Sequence, residues 1–168
     1  MSGLGSRLRR SGWLPRHVLG LVREVAQHLL RRPVVGICAV GRNARGEVLL
    51  VRRGDLGTWA LPGGTLAWGE TLTVALAREL EEEAGARWLG GGRVTGVYSR
   101  PDRDPRFHAV TVCVLGRIAD QPLGGPHNRL EIVEATWFAP SELPAELALG
   151  MRDMLDDALA DRAETVLE

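Results

Sequence analysis

One segment constrains this chain more than any other. A loop Pro62-Gly63-Gly64 leads to Glu70, and then comes Arg78-Glu79-Leu80-Glu81-Glu82-Glu83-Ala84-Gly85-Ala86. Residues 70–84 read as a helix, with Gly85 as its stop. Leu72, Leu76 and Leu80 repeat at helical spacing, so one stripe of this helix enters a core. At 100° per residue, Glu79, Glu82 and Glu83 fall within an arc of about 100° beside that stripe. Like charges three and four residues apart destabilise an isolated helix by a few tenths of a kcal/mol per pair, roughly. They also lie near the C-terminal end, where negative charge opposes the helix dipole. Such a helix calls for a compensating cation. Three carboxylates with no His or Cys beside them are hard oxygen donors, which suit Mg²⁺ or Mn²⁺ and not Zn²⁺. The Gly-Gly loop lets a backbone carbonyl approach as a further oxygen ligand. A magnesium ion held this way most often serves a phosphate substrate. The plain alternative is a solvated, glutamate-rich helix face.

The rest of the chain supplies the frame. Its 168 residues are the size of one domain. The 21 basic residues balance the 21 acidic ones, which argues against a polyanion-coating protein. All the basic residues are arginine, so mechanisms that need a lysine nucleophile, base or phosphate-loop lysine are excluded. There is no apolar run of about 18 residues, so no membrane helix is expected. Cys38 and Cys113 each sit in an apolar run with no CxxC spacing and read as free buried thiols of a cytoplasmic protein. Residues 14–30 have apolar positions at helical spacing and form an expected amphipathic helix within an extension, residues 1–32. Strands are expected at residues 34–40, 48–52, 94–98, 108–118 and 134–138, and a last helix at residues 147–160. Residues 53–69 are glycine-rich and read as a loop. The order of helices and strands predicts an α+β fold, an α/β/α sandwich with a mixed sheet over residues 33–168. Residues 1–32 carry seven Arg and one Glu, whereas residues 131–168 carry ten acids and two Arg. Two solvated faces would account for this, and so would packing of the ends within one chain or across a homodimer.

The complete pattern Gly64-x5-Glu70-x7-Arg78-Glu79-Leu80-x-Glu82-Glu83-x-Gly85-Ala86 resembles the Nudix box of the Nudix hydrolases. Its seven fixed residues would arise by chance roughly once in 10⁸ starting points at ordinary composition. Leu49-Leu50-Val51-Arg52-Arg53, Trp59-Ala-Leu-Pro-Gly-Gly64, Trp137-Phe138 and Leu143-Pro144 resemble the family's surroundings. The resemblance implies hydrolysis of a nucleoside diphosphate linked to another group, with a small nucleotide as partner. It implies metal ligation by Glu79, Glu82 and Glu83, helped by the Gly63 carbonyl. Gly64, Glu70, Arg78 and Gly85 are then structural, with Arg78 and Glu70 tying the loop to the helix. Proton removal from the attacking water falls to Glu79 or Glu82, or to a loop glutamate near the last strand. Of the two loop candidates, Glu131 is preferred over Glu134, since it follows a Gly-Gly-Pro loop that could swing.

Substrate markers are weaker. Pro101, with Asp102-Arg-Asp-Pro-Arg106 after it, resembles small ADP-ribose pyrophosphatases. Arg52, Trp59, Pro101 and Arg106 are the expected substrate-binding residues, and Arg100 and Arg103 are further candidates for phosphate or ribose oxygens. Trp59, Trp68 or Trp88 could stack on a base. A triphosphate pyrophosphatase acting on oxidised dGTP stays open on the same residues, as does a non-catalytic nucleotide sensor. Processing of RNA 5′ ends fits the neutral charge less well. The four histidines have no metal-ligand spacing between them, and Gly90-Gly91-Gly92 reads as a flexible connection.

Overall fold

The strands at residues 34–42 and 48–53 are apolar without alternation, the pattern of a sheet covered on both faces. A computed structural model, which describes residues 32–160 and 162–168, has that arrangement. The elements are β1 (Val34–Arg42), β2 (Val48–Arg53), β3 (Trp59–Ala60), β4 (Gly63–Thr65), α1 (Leu72–Ala84), β5 (Arg93–Tyr98), β6 (Ala109–Arg117), β7 (Ile132–Phe138) and α2 (Met151–Leu159), which follows a 3₁₀ turn at Ala148–Gly150, then β8 (Val166–Leu167). The strands lie in the order β3-β2-β1-β6-β5-β8, with β4 beside β1 and β7 beside β2. β1 and β6 run parallel along their whole length, as do β5 and β8, while the other pairs are antiparallel. The sheet is therefore mixed, as expected.

Successive side chains of β1 divide between two cores. Ile37 and Ala39 pack with Leu49, Val51, Leu76 and Leu80 under α1. Cys38 and Val40 pack with Leu50, Tyr98, Met154 and Leu155 under α2. Both cysteines are buried and free, as the composition suggested. The expected helix at residues 14–30 lies outside the described residues.

Three local expectations change. α1 begins at Leu72 rather than Glu70, because the Thr71 hydroxyl caps the Val74 amide at 3.4 Å and leaves Glu70 outside the helix. The segment 53–69 is not all loop. β1 and β2 share only the pair Arg42↔Val48 and then part, and β3 and β4 fill the opening. Those two- and three-residue strands owe their extended form to edges offered by β1 and β2, a cause with no local signature. Gly92 does more than connect. An added Cβ would come within 2.9 Å of the Trp88 ring there and 2.1 Å at Gly116, so both glycines make room for the indole. Trp88 is thus a packing residue.

Candidate active site

The opening between β1 and β2 presents β4 to α1. Ala39 N–H donates to the Pro62 carbonyl at 2.9 Å, and Leu66 N–H to the Val35 carbonyl at 3.0 Å. In an antiparallel ladder the intervening Gly63 and Thr65 then turn their backbone groups away from β1. Accordingly Gly63 N–H donates to Glu83 Oε2 at 2.9 Å, and the Thr65 carbonyl accepts from Arg78 Nη2 at 3.3 Å. The Gly63 carbonyl shares that edge. A Cβ on Gly64 would lie 2.2 Å from Glu79 Oε1, so a side chain there would displace the Glu79 carboxylate.

Arg78 binds the acids together. It grips Glu70 with two donors at 2.8 and 3.0 Å, and its Nη1 reaches Glu79 at 2.9 Å and Glu82 at 3.2 Å. This guanidinium is the local cation that the helix needed, and it holds the Glu70 carboxyl down at about 2. The other end of α1 is closed by Gly85, whose φ of +58° is left-handed and whose N–H caps the Glu81 carbonyl. Residues 124–127 then lie across the helix terminus. Gly125 N–H donates to the Ala84 carbonyl at 3.1 Å and His127 N–H to the Glu82 carbonyl at 2.8 Å. A Cβ on Gly85 would meet Gly124 at 2.5 Å, so the approach needs glycine for contact as well as conformation.

Seating that loop carries Glu131 over the acidic face. Glu79, Glu82, Glu83 and Glu131 line one lobe of a cleft, of about 280 Å³, with His127, Asn128 and Ile132. A second lobe, about 430 Å³, shares Glu79, Glu82 and Glu131 and is walled by Arg53, Gly63, Gly64, Arg78, Arg106 and Phe107. A roomier hollow of about 470 Å³ near Arg45 and Trp137 shares no residue with this cleft. The Glu131 backbone does not swing freely, since its carbonyl accepts from Gly54 N–H at 2.7 Å and its N–H reaches the Asn128 carbonyl at 3.2 Å.

Burial dominates the electrostatics. Glu83 is only 9% exposed. Desolvation pushes its carboxyl up to about 8, aided by the nearby charges of Glu79 and Glu131 and opposed by the Gly63 amide. Glu79 is also raised by burial, in spite of Arg78. Among the described residues, no three carboxylate, imidazole or thiolate groups form a closed metal-ligand set. The donors nevertheless fit a hard divalent cation. Glu83 makes no ion pair among the described residues, and Arg78 engages one oxygen each of Glu79 and Glu82, leaving the other free among the described residues.

This burial has a measurable consequence. The folded Glu83 carboxyl titrates at about 8 against an ordinary value of 4.5. The folded state therefore keeps a proton that the unfolded chain releases, and stability falls by about 1.4 kcal/mol per pH unit across that window from this group. Above pH 8 its contribution is flat. Denaturant unfolding in EDTA at several pH values should show the decline, and Glu83→Gln should flatten it. Parallel curves for the two proteins would contradict the assignment.

Of the residues expected at the site, Gly63, Gly64, Glu79, Glu82, Glu83, Glu131 and Arg106 meet at the cleft. Arg52, Trp59 and Pro101 do not line it. Arg52 pairs with Glu134 at 3.0 Å, Trp59 packs edge-on against Phe138 at 4.8 Å, and Pro101 is exposed in a turn. Arg103 is turned inward, to Glu168, Asp153 and the Gly150 carbonyl. The sequence reading missed Arg53, Phe107, His127 and Asn128. Arg53 had a signal, since neighbouring strand residues face opposite ways and one of Arg52 and Arg53 had to face the cleft. Alternation along β2 decides in favour of Arg53, which follows Leu49 and Val51 on the face packed under α1, whereas Arg52 follows Val48 and Leu50 on the face under α2.

A mixed sheet between helices, with a Gly-Gly strand feeding a carboxylate-bearing helix, defines the α+β class of this fold. The family model described as NUDIX domain matches residues 30–158, and the chain belongs to that family as a Nudix hydrolase. It is 33% identical over 129 residues to a MutT-like protein of Streptomyces ambofaciens, covering 74% of this chain and 78% of that one. It is 35% identical over 115 residues to the ADP-ribose pyrophosphatase of Methanocaldococcus jannaschii, covering 66% of this chain and 64% of that enzyme. Among solved structures, the Nudix domain of Shewanella oneidensis NrtR in complex with ADP-ribose superposes with a TM-score of 0.68 at 22% identity, covering 83% of this chain and 96% of that one. Nudix hydrolases generally use divalent metal ions. No helix among the described residues is long and apolar enough to cross a membrane.

Proposed function

We propose that this chain hydrolyses the diphosphate of an ADP-ribose-like nucleoside diphosphate derivative with Mg²⁺, or Mn²⁺ in its place. The observation that carries the reading is one cleft lined by four glutamates and, across them, by Arg53 and Arg106. The names of the M. jannaschii relative and of the ADP-ribose complex support the choice of substrate. Glu79, Glu82, Glu83 and the Gly63 carbonyl hold the metal in this reading. The bound ion neutralises phosphate oxygens and lowers the pKa of water. Arg53 and Arg106 take the remaining phosphate charge. Glu131 accepts the proton of the attacking water, since it lines both lobes and its backbone is held at both the N–H and the carbonyl.

A panel of ADP-ribose, dGTP, oxidised dGTP, NDP-sugars and capped RNA, assayed with Mg²⁺ for kcat/KM, tests this directly. AMP and ribose phosphate released from ADP-ribose with the highest efficiency is the expected result. Preference for a triphosphate would overturn the substrate, and metal binding without turnover on any member would favour a nucleotide sensor.

A further inference from the structure

Two arginines face the cleft, Arg53 from the end of β2 and Arg106 from the loop before β6, and each is gripped by an aspartate two residues away. Asp55 accepts Arg53 Nε and Nη2 at 2.9 and 2.8 Å, and Asp104 accepts Arg106 Nε and Nη2 at 2.9 and 2.7 Å. In both side chains the remaining Nη1 has no hydrogen-bond acceptor among the described residues. Arg106 Nη1 stands 3.7 Å from Asp55 Oδ2, so a single carboxylate holds Arg53 and also faces Arg106. Without it, two like charges that wall one lobe would repel and separate. A diphosphate carries two phosphoryl groups at a fixed span, and each accepts charge-assisted hydrogen bonds from a guanidinium.

We propose that Asp55 is a positioning residue that sets the gap between Arg53 and Arg106, making them a two-armed clamp for the substrate's diphosphate. The inference rests on the proposed substrate class but not on turnover. Two effects of removing the Asp55 charge oppose one another. The cleft would gain net positive charge, which favours an anion, and the arginines would lose their spacing, which disfavours a bridging one. The pair with Arg106 is exposed and weak, whereas Arg53, whose side chain is 12% exposed, is held by two short bonds. Spacing is expected to win.

Calorimetry with inorganic pyrophosphate as the probe, in the absence of metal, decides the sign. Asp55→Asn should weaken pyrophosphate binding about three- to tenfold, with Tm within about 2 °C of the parent. KM for ADP-ribose should rise by a similar factor while kcat stays within about twofold. Asp55→Glu, which restores the charge, should recover part of the loss. Equal or tighter binding of pyrophosphate by Asp55→Asn would overturn the clamp, as would a parent protein that binds none. Weakened binding in a protein that never hydrolyses ADP-ribose would leave the clamp standing and remove the substrate assignment.

Discussion

Replacing Glu82 by glutamine should lower kcat by about 10²- to 10⁴-fold, the range for loss of a group that acts on the reacting centre. Its side chain is 48% exposed, and its one polar contact among the described residues is Arg78 at 3.2 Å. The fold therefore has little invested in it. Tm should stay within about 2 °C, since exposed substitutions away from special features usually cost less than about 0.5 kcal/mol. Circular dichroism beside steady-state kinetics separates the two effects. Turnover at parental rates in a folded Glu82→Gln protein would remove Glu82 from the metal site.

Arg78→Ala should have the opposite profile, with stability failing alongside activity. Arg78 makes five hydrogen bonds, to Glu70, Glu79, Glu82 and the Thr65 carbonyl, and it joins the loop to the helix. Its side chain is 32% exposed, so solvent screens part of the loss, and a cost of about 1–3 kcal/mol is expected. Arg78→Lys should rescue only part of it, because an ammonium cannot copy the two-donor grip on Glu70. Mg²⁺ adds a discriminating measurement. In the parent, Arg78 already neutralises Glu79 and Glu82. In Arg78→Ala those carboxylates repel one another uncompensated, so added Mg²⁺ should raise Tm more in the variant. Equal Tm shifts in both proteins would mean that the metal does not sit on these two glutamates.

The parts legible in the sequence were those with local causes. The α1 periodicity, the glycine at its end and the i, i+3, i+4 acids follow from helix geometry, and all three stand in the structure. So does the mixed sheet that the order of helices and strands implied. The start of α1 was misplaced because Thr71, and not Glu70, supplies the cap. β3, β4 and β8 went unseen because each is two or three residues long and exists only against a longer neighbour. Arg52 and Trp59 were expected at the substrate, yet one is paired with Glu134 and the other is packed on Phe138.

The sequence by itself determined the carboxylate helix, the glycine approach to it and the family, because these depend on spacing along one segment. Only the tertiary structure decided which groups face that helix. Glu131 reaches it because residues 124–127 cap the end of α1, and Arg53 reaches it because the sheet packs the Leu49 and Val51 face of β2 under α1. Arg103 is drawn away to Glu168, 65 residues along the chain. Each of these turns on contacts between residues far apart in sequence, and such contacts form only when the chain closes on itself.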